Sequence, residues 1–141
     1  MEVIRPQLLL VKDLKPHELL IEEHSTQLLQ DIVKDQAIYV PILVDVKTKV
    51  ILDGHHRFSV AKKLKLAQIP CFAVDYFNEN IVSVFPRRET VPVSKQLVIQ
   101  AGLSGKLFPN KSTRHVLHIS PAAIQYSLEI LAAIKVSPCS R

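Results

Sequence analysis

One short string constrains this chain more than any other. Val50, Ile51 and Leu52 are bulky and mostly β-branched, which favours a strand. Asp53-Gly54-His55-His56-Arg57 follows at once. Phe58, Val60, Ala61 and Leu64 then recur at helical spacing, with Lys62 and Lys63 on the other face. The string therefore reads as strand, tight glycine turn and helix N-terminus. Backbone N–H groups without intrahelical partners and the positive end of the helix dipole converge at such a turn. With an arginine and two histidines beside them they form a seat for a phosphate. The plainer alternative is a connection whose glycine only permits a positive φ. The adjacent His55 and His56 point apart, and no carboxylate–histidine spacing supports a closed metal site.

An anionic ligand suits the charge. The chain of 141 residues carries a formal net charge of +5, with its basic residues scattered rather than massed in a tail. Aromatic residues make up 6% and tryptophan is absent, so the stacking platform of a single-strand binder is missing. A hydrophobic content of 48% is enough for a real core. No apolar run approaches the ~20 residues of a membrane span. Leu8–Val11 is too short for the apolar part of a secretory signal, so a cytoplasmic location is the default expectation. The two cysteines, Cys71 and Cys139, lack metal-type spacing, and Cys71 falls in an apolar run as an inert core residue.

The rest of the chain supplies the other elements. Gln7–Val11 reads as a strand and Lys12–Glu18 as a loop. Ser25, Leu28, Leu29, Ile32 and Val33 form the stripe of a helix that ends before Tyr39, because Val40 precedes Pro41. Ile42–Val46 and Lys49–Leu52 flank Lys47-Thr48 as a hairpin. Ile69–Tyr76 is a further strand, and Ile81–Phe85 is compatible with another. Val93–Ala101 reads as a helix closed by Gly102, Gly105–His115 as a polar loop and Val116–Ile119 as a strand. Ser120-Pro121 has the pattern of a helix start, predicting a last helix to about Lys135. The order predicts an α+β fold with a more helical C-terminal third.

Two further strings carry chemistry. Lys111-Ser112-Thr113-Arg114-His115 sets two small hydroxyls, two cations and a histidine in one segment, which can wrap an anion. Pro16-His17-Glu18 offers a carboxylate, but spacing does not separate Glu18 from Glu22 and Glu23.

Leu14–Glu18, Val40–Val44, Val50–Arg57 and Ile69-Pro70 together resemble the fold shared by the ParB N-terminal domain and sulfiredoxin. Within that superfamily, Pro16-His17-Glu18 and Asp53–Arg57 are most similar to the free L-serine kinases. Gly105–His115 resembles a second signature, associated with archaeal members. The resemblance implies a small mixed sheet flanked by helices in one domain over residues 1–141. Residues 1–77 would be the motif-bearing core, and residues 78–136 would complete a nucleotide cleft. It also implies a kinase that moves the terminal phosphoryl group of ATP or ADP, with Mg2+, onto the hydroxyl of free serine. Glu18 would take the hydroxyl proton. Asp53, Gly54, His55, His56 and Arg57 would hold one set of phosphate oxygens, and Ser112, Thr113, Arg114 and His115 another.

The chain departs from two relatives' patterns, and the first departure excludes sulfiredoxin activity. Sulfiredoxin needs a cysteine where this chain has His55. A ParB partition protein would carry a helix-turn-helix module, and the residues after Tyr76 show none. The alternatives kept are a ParB-like nucleotide hydrolase or DNA-binding regulator, with nucleic acid the less favoured partner, and a nucleotide-sensing module without turnover. Oligomeric state is left open.

Overall fold

A computed structural model describes residues 3–20, 22–35, 37–38, 41–121 and 126–127. Its centre is a 4-stranded sheet of β2 (Gln7–Leu10), β6 (Gln68–Val74), β4 (Ile42–Asp45) and β5 (Ile51–Asp53), in that spatial order. β6 is antiparallel to β2 and parallel to β4, and β4 is antiparallel to β5. A parallel pair cannot be joined by a tight turn, so β5 and α2 (His55–Lys63) form the crossover from β4 to β6.

All four residues of β4 are buried, which explains its continuous apolar run. Successive side chains go to opposite faces. Ile42 and Val44 join Ile51, Ile69 and Cys71 against Phe58, Val60 and Ala61 of α2 and Ile32 of α1 (Glu22–Asp35). Leu43 joins Val50, Leu52, Phe72 and Val74 on the other face. That face packs on Tyr76, on Val82 of β7 (Val82–Pro86) and on Val98 and Ile99 of α3 (Lys95–Ser104). Each fully buried aliphatic side chain contributes roughly 1.5–3 kcal/mol relative to exposure. Cys71 is buried as expected, and burial pushes its thiol up to about 12.

The hairpin turn lacks Asn-Gly because a side chain closes it. The buried Asp45 carboxylate accepts from the Thr48 backbone N–H at 3.0 Å and its hydroxyl at 2.7 Å, and from the Tyr76 N–H at 3.3 Å. Lys49 takes the left-handed conformation the turn requires, at φ 65°.

The C-terminal part departs from the sequence reading in three places. The helix expected to close at Gly102 runs on to Ser104, with Gly105 in the left-handed cap at φ 79°. Gly102 is instead a packing residue: a Cβ there would lie 2.7 Å from both methyls of Val50. Thr113, Arg114 and His115, expected in a loop, belong to β8 (Thr113–Leu117), antiparallel to β7. Ser120-Pro121 does not open a helix; it is β9 (Ser120–Pro121), parallel to β1 (Val3–Ile4). Tyr126–Ser127 likewise pairs, antiparallel, with β3 (Ala37–Ile38), so pairing across the chain overrides the local capping signal. Among the described residues the helical character of that third rests on α3, and residues 128–135 of the expected last helix lie outside them. Among the described residues no helix is long and apolar enough to cross a membrane.

Candidate functional site

The site begins with a brace. The segment from Lys15 to Leu19 is laced on one side to the edge of the sheet: the Lys15 N–H donates to the Lys49 carbonyl at 3.0 Å and the Ile51 N–H to the Lys15 carbonyl at 2.8 Å. On the other side the Phe108 N–H donates to the His17 carbonyl at 2.8 Å and the Leu19 N–H to the Phe108 carbonyl at 2.9 Å. An extended chain held at both edges sends His17 and Glu18 in opposite directions. His17 goes to the interior, fully buried, and Glu18 faces a cleft.

Glu18 reaches across to residues 111–113. Oε2 accepts from the Lys111 N–H at 3.0 Å. Oε1 accepts from the N–H groups of Ser112 at 3.3 Å and Thr113 at 3.1 Å, and from the Thr113 hydroxyl at 2.8 Å. The left-handed Lys111, at φ 53°, turns these successive N–H groups to one side as an anion-binding nest.

Behind Glu18 stands a group of uncharged rings. His17 Nδ1 donates to the Ile51 carbonyl at 2.6 Å, and its ring meets those of His55 at 4.6 Å and His115 at 5.8 Å. Burial lowers the His17 pKa, and hydrogen bonding to Ile51 and the charges of Glu18 and Asp53 oppose it. His55 Nε2 accepts from the His17 backbone N–H at 3.1 Å, which a protonated ring cannot do. Burial, then the repulsion of His17, His115 and His56, holds its pKa well below the ordinary value. His115 Nε2 meets the Tyr76 hydroxyl at 2.8 Å, and burial brings that ring to about 3.

In front of Glu18 lies a cleft of about 380 Å³. Its walls bring together Glu18, Asp53, Gly54, His55, His56, Arg57, Thr113, Arg114 and His115, which are separated along the chain. Ser112 does not line it: it is buried, with its hydroxyl on the Pro109 carbonyl at 2.6 Å. Gly54 is at φ 101°, and a Cβ there would sit 2.5 Å from Ile42 Cγ2. The turn therefore admits only glycine. The Arg57 guanidinium folds back toward Gly54, Nη2 lying 3.1 Å from that Cβ position, and burial lowers its pKa while Asp53 raises it. Its buried Nε has no hydrogen-bond partner among the described residues. Arg114 is exposed and lies over the Phe85 ring at 5.6 Å.

Three residues were given no role from the sequence: Asn110, which lines the cleft beside Arg87 and Lys111, and the buried His17 and Tyr76, which hydrogen-bond behind it. The signal for His17 was its place beside Glu18 in an extended stretch, where neighbours face opposite ways. Lys95 lies in the core, with Nζ donating to the Val82 carbonyl at 2.7 Å and paired with Glu79 at 3.1 Å.

A second cleft of about 480 Å³ adjoins the first. The two share Glu18, Leu19, Leu20 and His55, and the second adds Phe58, Ser59, Lys62, Lys63 and Leu107.

No family model matches the chain. Over 82 residues it is 33% identical to an ATP-dependent L-serine kinase of Desulfurococcus mucosus, covering 55% of this chain and 32% of that protein. Over 70 residues it is 39% identical to a ParB-like protein of Sulfolobus acidocaldarius, covering 50% and 35%. The chain thus spans about a third of the length of the curated relatives it matches. The solved structure of a free serine kinase in complex with AMP superposes with a TM-score of 0.81 at 16% identity, over 92% of this chain and 95% of that one. The fold is that of the free serine kinase. The small mixed sheet flanked by helices is as the resemblance implied.

Proposed function

We propose that the protein is a nucleotide-dependent kinase that phosphorylates the hydroxyl of free L-serine. The observation that carries this reading is the position of Glu18, a carboxylate at the seam of a cation-walled cleft and a second cleft. Phosphoryl transfer asks for positioning and charge neutralisation more than for covalent chemistry. Arg57, Arg87 and Arg114 supply the charge on the first cleft, and the start of α2 supplies a helix N-terminus. The Arg57 Nε, without a hydrogen-bond partner among the described residues, suits a phosphate oxygen. The similarity to ATP-dependent L-serine kinases supports the same nucleotide class.

The acceptor approaches from the second cleft, where Lys62 and Lys63 suit a carboxylate. Its hydroxyl oxygen bonds to the terminal phosphorus as the bridging P–O bond breaks, and the shortened nucleotide leaves with that electron pair. The hydroxyl proton goes to Glu18. Oε1 already accepts from Ser112 and Thr113, whereas Oε2 takes Lys111 alone and keeps a lone pair for the proton. Such help is often worth ~10²–10⁴-fold.

Mg2+ fits this arrangement through Asp53, an exposed carboxylate on the cleft wall, because the ion is commonly held by one or two carboxylates with phosphate oxygens and water. Bound there, it would supply further neutralisation of phosphate charge.

The test is direct. Protein, Mg2+ and serine are incubated with ATP and, separately, with ADP, and O-phosphoserine is measured. Product with one nucleotide identifies the donor; none with either ends the reading. One observation favours a second reading, nucleotide binding without transfer: Glu18 is already engaged by residues 111–113. Saturable nucleotide binding with no product in the same assay would select it.

A further inference from the structure

A hydrogen count behind Glu18 does not close by itself. The Ile51 carbonyl can only accept, so the proton in its 2.6 Å contact belongs to His17 Nδ1. A neutral His17 then has a bare lone pair on Nε2, 3.0 Å from the Thr113 hydroxyl oxygen. The same hydroxyl lies 2.8 Å from Glu18 Oε1. It has one hydrogen and two acceptors. If the hydrogen goes to Glu18, Nε2 faces an oxygen with no proton between them. If it goes to His17, the carboxylate loses a donor. Protonating His17 ends the contest: Nε2–H donates to Thr113, and Thr113 donates to Glu18. His17 Nε2 and Glu18 Oε1 are 3.8 Å apart, so the hydroxyl bridges a single close pair.

We propose that His17 is a positioning residue for Glu18: acting through the Thr113 hydroxyl, it competes for the one hydrogen that would otherwise weaken the base. The inference rests on Glu18 acting as the base. A neutral His17 keeps the carboxylate hungry for a proton, and an imidazolium leaves it satisfied. The fully buried ring, whose pKa burial lowers, favours the neutral, competing form. The other titratable groups around the pair are His55 on α2, His115 on β8 and Asp53 at the end of β5. His56, Arg57, Arg87, Lys111 and Arg114 line the cleft that Glu18 also lines.

Two substitutions should move Glu18 in opposite directions. His17→Asn keeps a donor where Nδ1 stands but has nothing in place of Nε2, so Thr113 donates to Glu18 alone. Thr113→Val keeps the shape and removes the hydroxyl. The readouts are the Glu18 carboxyl midpoint, followed by carbon-13 NMR, and the pH profile of single-turnover phosphoryl transfer. In His17→Asn the midpoint falls by about half a pH unit and transfer slows about threefold, with nucleotide affinity unchanged. In Thr113→Val the midpoint and the acid limb rise by about half a pH unit. Thr113→Ser behaves as wild type.

Shifts of the same sign in His17→Asn and Thr113→Val, or no shift in either, would overturn the proposal. Nitrogen-15 spectra of the wild type test it without any variant: His17 carrying its proton on Nε2 rather than Nδ1 would also sink it. If the wild-type protein makes no phosphoserine, that failure falls on the kinase reading, and the NMR measurements still decide the coupling.

Discussion

The two walls of the cleft are built on opposite plans. The Gly54 wall is made by backbone conformation. A positive φ, a Cβ position filled by Ile42 and a helix N-terminus fix Arg57 and its neighbours. The wall at residues 110–115 is made by a side chain. Its N–H groups at Lys111, Ser112 and Thr113 are gathered by the Glu18 carboxylate. One wall is thus preorganised for an anion from outside, while the other is assembled around an anion the protein supplies. On the proposed kinase reading Glu18 then has two duties, and removing it should damage more than proton transfer.

The strongest way to break the comparison is Glu18 itself. Glu18→Ala should cost turnover ~10²–10⁴-fold and also weaken nucleotide binding, because three N–H groups lose their acceptor. Glu18→Gln keeps an oxygen for those donors. It should lose turnover comparably while nucleotide affinity, read by calorimetry, stays near wild type. Equal affinities in the two variants would refute the second duty.

Gly54→Ala tests the other plan. A Cβ in the left-handed region and against Ile42 should destabilise the fold by about 3 kcal/mol in a urea titration. Lys111→Gly, at the corresponding left-handed position of the opposite wall, should change stability by less than about 1 kcal/mol.

The arginines sharpen the contrast further. Arg57 is partly buried and Arg114 is exposed, so Arg57→Ala should weaken nucleotide binding about 10–100-fold and Arg114→Ala only a few-fold. The Arg114 contribution should fade with added salt. The reverse order would mean that the exposed wall carries the phosphate.

Acid addresses the rings behind both walls. Folded His115 takes a proton only near pH 3, whereas an unfolded histidine does so near 6.5. Between those values the unfolded chain binds the proton that the fold refuses. The stabilisation is complete above about pH 6.5 and is lost as pH falls toward 3. His17 and His55 shift in the same direction and add to it. Urea midpoints should decline through that window, and a flat profile would mean the rings are not held neutral.

The Gly54 turn was legible because one residue type at one position answers one steric demand. The hairpin was legible from alternating apolar runs, although its Asp45 cap was not, since that depends on a carboxylate meeting a turn three residues on. β8 was hidden by its polar residues: Thr113 and Arg114 pair with Pro86 and Phe85, and a strand at a cleft wall need not look apolar. Ser120-Pro121 carries a sound helix-start signal that pairing with β1 outweighs. The burial of His55 and His115 was not legible: it is a property of the assembled fold, and it lowers the pKa of both rings.

The double lacing of residues 15–19 has a consequence for synthesis. A nascent chain that has left the ribosome only as far as Tyr76 already carries the acid and the Gly54 turn. It lacks Phe108, which pins that acid's strand, and Thr113, which receives its carboxylate. A copy made only that far therefore has no partner to hold the Glu18 strand on its second edge or to fix the carboxylate, and both arrive only when the later segment docks.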